Sequence, residues 1–217
     1  EKLWAELLFM HEVPDRMKRH LDNTFGENTR HQPLYVGCVG ARVLAEPQLE
    51  VCKFVGRYLV NQGHCVVSGN AAGADFAFAS GANSIDPRQV ILCLPWLNHN
   101  KQQIWPGNAP QVTTLENKIY AEEPKEYDIR VKLLHGRNTD IVNWSKVLIA
   151  FPQHSGRGYE GLGGTGDTLK KAKAKNIPII RLDELTASGG SLVQLIQKVK
   201  NELVEVLSND RPIGSNI

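Results

Sequence analysis

The sequence predicts an α/β protein: a Rossmann-like parallel sheet of about five strands, helices on both faces, and helical extensions at its N- and C-terminal ends. Three observations carry this expectation. Short β-branched apolar runs alternate with amphipathic helical patterns. Glycine punctuates three joins from strand to helix: Gly37–Arg42, Ser68–Asp75 and Gly161–Thr168. A βαβαβ alternation also demands right-handed crossovers and hence parallel strands. The expected strand order is 3-2-1-4-5, with a ligand crevice at the carboxyl ends of strands one and four, where the order reverses.

Residues 1–33 read as an N-terminal helical extension: Leu3, Trp4, Leu7, Leu8, Met17 and Leu21 follow a helical period, Pro14 divides it, and a polar linker follows. The central domain spans 34–184. Its first strand is Leu34–Val39, and a helix with apolar Leu49, Val51, Val55, Leu59 and Val60 runs from Pro47 to about Asn61, where Gly63 ends it. The second strand, His64–Ser68, leads through small residues into an Ala- and Phe-rich helix from Ala74. Gln89–Leu94 is the third strand, closed by Pro95. Trp96–Pro124 loses periodicity and reads as a long irregular loop, of the length usual for lids and binding loops, whose tryptophans more simply anchor it to the body. A short helix, Asp128–Leu134, precedes a connection through Arg137–Val142 to the fourth strand, Lys146–Phe151. The glycine loop, a helix Thr168–Lys175 and a last strand Ile177–Leu182 complete the domain. Residues 185–217 hold a C-terminal amphipathic helix, Ser191–Leu207, whose stripe of Leu192, Leu195, Ile196, Val199, Leu203 and Val206 reads as core-facing. Its alternative use is assembly of a homo-oligomer.

Composition narrows the function. The 217 residues include 25 basic and 23 acidic side chains, a net charge of +2, so no global field draws in nucleic acid and any such binding needs a local patch. Lys170, Lys171, Lys173 and Lys175 form one candidate patch, or a solvated helix face. The four cysteines, at 38, 52, 65 and 93, show no metal spacing and suit a reducing, cytoplasmic setting; no metal or cofactor is expected. No apolar run reaches membrane-spanning length and no signal-peptide pattern opens the chain, so no membrane partner is expected.

A strand, a tight small-residue loop and a helix N-terminus present free N–H groups and a positive dipole end, which suits an anion. Gly40, Ala41, Arg42, Ser68, Gly69, Asn70 and Gly73 make up two such joins. The Arg42 guanidinium can grip a pair of phosphate oxygens. Gly163, Gly164, Thr165 and Gly166 form a third nest able to hold one phosphate. Gly161, Gly163 and Gly166 satisfy GxGxxG, but Pro152–Glu160 separates them from their strand, unlike a dinucleotide fingerprint. A Walker loop is excluded because Asp167 stands where its lysine must be. Asp75 and Asp167 are the candidate working carboxylates, and Asp140 and Glu160 are further carboxylates near strand ends.

Val39–Arg42, Ser68–Asp75 with Gly81-Ala82, and Arg137-Asn138 before the fourth strand resemble, in this order, the VGxR, SGxAxGxD and RNxxI patterns of the SMF/DprA branch of the SLOG superfamily. The likeness spans about Leu34 to Leu182. Gly163–Thr165 is similar to the GGT-type loop of the related LOG phosphoribohydrolases. The resemblance implies a Rossmann-like fold that binds nucleotides or nucleic acid through these loops, Arg137 and Asn138 included, and in DprA itself single-stranded DNA binding with recombinase loading. The pattern departs at Ala79, where DprA usually has His, and GGTGDT replaces the GSLITA-like loop. Thr168 occupies the catalytic Glu position of the LOG signature. Three functions follow: a protein holding a phosphorylated nucleotide-type ligand in the crevice, an N-glycosidic phosphoribosyl hydrolase using Asp75 or Asp167, and a single-stranded DNA-binding recombination mediator.

Overall fold

The computed structural model describes residues 33–96, 98–100, 105, 128–153, 163–187 and 191–209. Within them, strands β1 (Tyr35–Gly40), β2 (Cys65–Ser68), β3 (Val90–Leu92), β4 (Val147–Phe151) and β5 (Ile179–Arg181) form one sheet in the order β3-β2-β1-β4-β5. Every neighbouring pair is parallel, as the alternation required. The register pairs Gly40 with Phe151 and Gly37 with Val67, so the ends of β1, β2 and β4 share one edge.

Among the described residues, six helices connect and cover the sheet: α1 (Glu46–Asn61), α2 (Ala74–Asn83), α3 (Ile129–Trp144), α4 (Gly163–Ala174), α5 (Leu182–Ala187) and α6 (Leu192–Asn209). Alternate strand residues divide between two cores. Val36, Cys38, Val66, Val147, Ile149 and Phe151 face Val51, Val55 and Leu59 of α1, Phe78 of α2, and Ile196, Val199 and Leu203 of α6. Val39, Val67, Leu148 and Ala150 face Ile141 and Val142 of α3 and Leu169 and Ala172 of α4. Ile196, Val199 and Leu203 of the C-terminal helix's stripe are thus core, with Leu195 and Val206 packed against it. All four cysteines are free thiols, Cys65 only half-buried and the other three buried.

Several boundaries differ from expectation for physical reasons. The expected short helix and connection between Asp128 and Val142 are one helix, α3, capped by the Asp128 carboxylate, which accepts from Arg130 N–H at 2.7 Å. Gly136 does not break it, because a mid-helix glycine costs only about 1 kcal/mol and this one is buried against the fold. The glycine nest before Thr168 is instead the first turn of α4, which begins at Gly163. β3 is shortened by a 3-10 turn at Pro87–Gln89, where Asp86 caps the Arg88 N–H at 2.9 Å. β5 ends at Arg181 because Leu182 opens α5. Of the two loop tryptophans, Trp105 anchors to the body, meeting Phe76 of α2 edge-on at 4.9 Å, whereas Trp96 meets His99 of its own loop at 4.9 Å. The expected N-terminal helices, the rest of the long loop, Glu160 and Gly161 lie outside the described residues.

Candidate functional site

β1 delivers Gly40, Ala41 and Arg42 to the carboxyl edge. A Cβ on Gly40 would stand 2.5 Å from the Ala74 Cβ and from the Phe151 carbonyl oxygen, so only glycine lets β1, β4 and α2 meet there. Ala41 N–H donates to Phe151 O at 2.9 Å, and Ala74 N–H donates to Ala41 O at 3.0 Å. Arg42 is the first residue beyond these ties. It is exposed and makes no hydrogen bond or ion pair among the described residues.

The join after β2 is held from within. Ser68 Oγ donates to Cys38 O at 2.8 Å and to Asp75 O at 3.1 Å. The buried Asp75 carboxylate accepts from Gly40 N–H at 2.9 Å, clasping the ends of β1 and β2 together. Beside it lies Arg137 of α3, also buried, whose Nη1 donates to Gly69 O at 2.5 Å and whose Nε donates to Asn138 Oδ1 at 3.0 Å. Burial pushes the Asp75 carboxyl up, against the charge of Arg137 and backbone donors from Gly40, Ala71 and Gly69. Burial likewise pushes Arg137 down, and Asp75 opposes it. A Cβ on Gly69 would collide with the Arg137 guanidinium and the Asp75 carboxylate, so that glycine makes room for both charged groups. Gly73, at φ +82°, faces the carbonyls of Ala41 and Arg42 rather than open crevice. Bulk at Gly73 therefore displaces the strand end that carries Arg42.

The N-terminus of α4 closes the other side. Thr165 Oγ1 donates to Gly40 O at 2.9 Å, across the switch point between β1 and β4. Asn138 Nδ2 donates to Gly164 O at 3.2 Å and to Asp167 Oδ2 at 3.0 Å. Asp167 also pairs with Lys171 Nζ at 3.0 Å and lies 3.5 Å from His135 Nδ1. Among the described residues, a Cβ on Gly164 would meet only Asn138 Nδ2, at 3.9 Å. The first-turn N–H groups of a helix have no acceptor within it.

All the expected site segments therefore converge: Gly40–Arg42, Ser68–Asp75, Arg137-Asn138 and Gly163–Asp167. They divide into an interior scaffold (Ser68, Gly69, Asp75, Arg137, Asn138) and a face made by Arg42 and the α4 N-terminus. Asp140 stands apart, buried on α3, where its charge helps burial push the Cys93 thiol up to about 12. The lysine run splits: Lys171 serves Asp167, Lys175 donates to Asn143, and Lys170 and Lys173 are exposed. Sequence reasoning missed His135 and placed Lys171 in a basic patch rather than beside Asp167, though their four-residue spacing on a helix was readable. It also missed His99 and Asn100, which the chain after β3 lays over Asn70: Asn100 Nδ2 donates to Asn70 O at 2.7 Å. A shallow groove of 310 Å³ at the opposite sheet edge, beside Asn143, Lys146 and Asn176, contains none of the expected site residues. Among the described residues, no group of three His, Cys, Asp or Glu side chains is placed to hold a metal, and no helix is long and apolar enough to cross a membrane.

The family model for DNA recombination-mediator protein A matches residues 24–158. Among solved structures, DNA processing protein A from Helicobacter pylori, described for its single-stranded DNA binding mode, aligns at 18% identity and a TM-score of 0.51, covering 80% of this chain and 81% of that one. The molybdenum cofactor binding protein from the phototrophic bacterium Rippkaea orientalis aligns at 18% identity and a TM-score of 0.53, covering 81% and 99% respectively. At this identity the two structures share the fold. No curated protein matches the chain.

Proposed function

The chain belongs to the DNA recombination-mediator protein A family, and from that premise we propose that it holds a phosphorylated ligand, a nucleotide or the backbone of single-stranded nucleic acid, at the carboxyl ends of β1, β2 and β4. One observation carries the reading: Arg42 is an exposed cation with no partner among the described residues, two positions beyond the carbonyl that binds Thr165 of the α4 N-terminus. A phosphate there would accept from the guanidinium and from first-turn N–H groups, and among the described residues only Asn138 Nδ2 comes within 4 Å of a Cβ on Gly164. Ser68, Gly69, Asn70, Gly73, Arg137 and Asn138 support this face, and Ala41 and Gly40 set its height. The relatives described as binding single-stranded DNA and molybdenum cofactor support a ligand crevice in this fold.

Binding is favoured over hydrolysis because both candidate carboxylates are engaged, Asp75 by Gly40 N–H and Arg137, Asp167 by Lys171 and Asn138. The unpaired thiols support a reducing, cytoplasmic setting. A homo-oligomer would use a surface other than the α6 stripe, which the core takes.

The test is calorimetric titration with adenosine 5′-monophosphate and with adenosine. Charge-assisted hydrogen bonds contribute about 1.5–3 kcal/mol, so Arg42→Ala weakens the nucleotide about tenfold or more and the nucleoside little. Equal losses for both would make Arg42 structural and sink the reading.

A further inference from the structure

Charge is spread unevenly over this nearly neutral chain. Residues 128–146 and 163–178, which carry α3, α4 and their turns into β4 and β5, hold eight lysines and arginines against three carboxylates. All three carboxylates are occupied or buried: Asp128 caps α3, Asp140 is inside the fold, and Asp167 is engaged by Lys171 and Asn138. Lys146, Lys170 and Lys173 are exposed, and their side chains make no hydrogen bond or ion pair among the described residues. One layer of the molecule therefore presents uncompensated positive charge to solvent.

The same layer holds the shallow groove at the amino edge of the sheet. Its volume is about 310 Å³, and it lies between the turn from α3 into β4 and the turn from α4 into β5. Val142, Ile177 and Pro178 give it apolar walls, Lys146 and Lys175 are its cations, and among the described residues no carboxylate lines it. Lys175 is steadied by Asn143, whose Oδ1 accepts from its Nζ. Lys146 is fixed through its backbone, which donates to Tyr35 O at 2.9 Å and leaves the ammonium to solvent.

The lining decides which anion fits. Single strands are held by aromatic platforms for the bases and by guanidinium forks for the phosphates. The groove has no aromatic ring and no arginine, and Trp144, close by in sequence, turns its ring edge-on to Tyr35 at 5.4 Å. Two ammonium groups beside aliphatic walls suit carboxylates interspersed with apolar side chains. We propose that this groove docks an acidic segment of a partner protein, on a face separate from the crevice and independent of the phosphate reading.

The probe is a fluorescein-labelled peptide of glutamates around a central leucine, titrated by anisotropy. Its controls are the same peptide with glutamines in place of glutamates, and an oligothymidylate of equal length. The wild-type chain should bind the glutamate peptide and not the glutamine one. Lys146→Gln combined with Lys175→Gln should weaken the glutamate peptide about tenfold at low ionic strength, and added salt should narrow that gap. Lys146→Arg with Lys175→Arg should retain binding, because the charges stay. Lys200→Gln, which removes a charge from α6, and Arg42→Ala, at the crevice, should leave it unchanged. Equal binding of the two peptides, or no binding of either, overturns the inference. Unchanged binding in the double glutamine variant also overturns it, and a lowered urea midpoint in that variant would then mean that the lysines serve only the helix ends. Oligothymidylate binding that is lost in the double glutamine variant, with no preference for the glutamate peptide, overturns it in favour of nucleic acid.

Discussion

Arg137 and Arg42 are both cations near one crevice, yet their surroundings give them opposite work. Arg137 is buried between Asp75, Gly69 O and Asn138, and it welds α3 to the end of β2. The Asp75 and Arg137 charges each oppose the other's burial, so removing one leaves the other less compensated, at a cost of up to about 3–5 kcal/mol. Arg137→Met should therefore lower unfolding stability by that order in urea titration. Adding Asp75→Asn should recover part of the loss, because the stranded charge goes with it; strict additivity of the two losses would refute the pairing. Arg42 is exposed and unpaired among the described residues, so Arg42→Ala should leave stability within about 0.5 kcal/mol while weakening phosphorylated ligands.

At the level of elements, the contact of α1 with α2 rests on two glycines. A Cβ on Gly56 would collide with the Phe78 carbonyl oxygen, and a Cβ on Gly81 would collide with the backbone of Lys53. Each helix thus offers a glycine to the other's backbone, and this close approach brings Phe78 fully into the core. Helix propensity alone says Gly81→Ala should stabilise α2 by about 1 kcal/mol. The geometry says the reverse, since the obstacle is backbone that cannot rotate away, and overpacking costs about 1–3 kcal/mol. Gly81→Ala should shift the urea midpoint down without changing the slope. A rise in the midpoint would show that the helices separate easily.

Across the whole molecule, the sheet is sandwiched between two cores, and the loops at its carboxyl edge carry the groups most sensitive to pH. His99 has an ordinary value of 6.5 and is pushed down to about 4 in the fold by burial, Arg137 and Arg42. The unfolded chain therefore takes up a proton near 6.5 while the folded chain resists it. The contribution is complete above that value and is lost as pH falls from 6.5 toward 4. Asp75, pushed up, tilts the other way, so the wild-type curve alone does not isolate His99. Urea unfolding at several pH values should show His99→Gln flatter than wild type across that window. Parallel curves would mean that the folded chain binds the proton as easily as the unfolded one.

The sequence by itself determined the class of fold, the strand order, the two-sided burial and the segments that meet at the crevice. These are encoded locally: alternation of period, β-branched runs and glycine joins leave few parallel topologies. Tertiary structure alone decided what each residue does there. The glycines at 40, 69 and 73 read as openings for a ligand, but a Cβ at each would meet the protein's own Ala74, Arg137 or Arg42, because only the folded chain shows which atoms face a missing side chain. Asp75 and Asp167 read as candidate working carboxylates, and the donors that engage them lie as far off as Gly40 and Asn138, 35 and 29 residues away. Helix α3 ran through Gly136 because burial outweighs propensity. The tie of the Asn70 amide to the His99 carbonyl had no local signal at all, since its partner comes from the loop 29 residues further on.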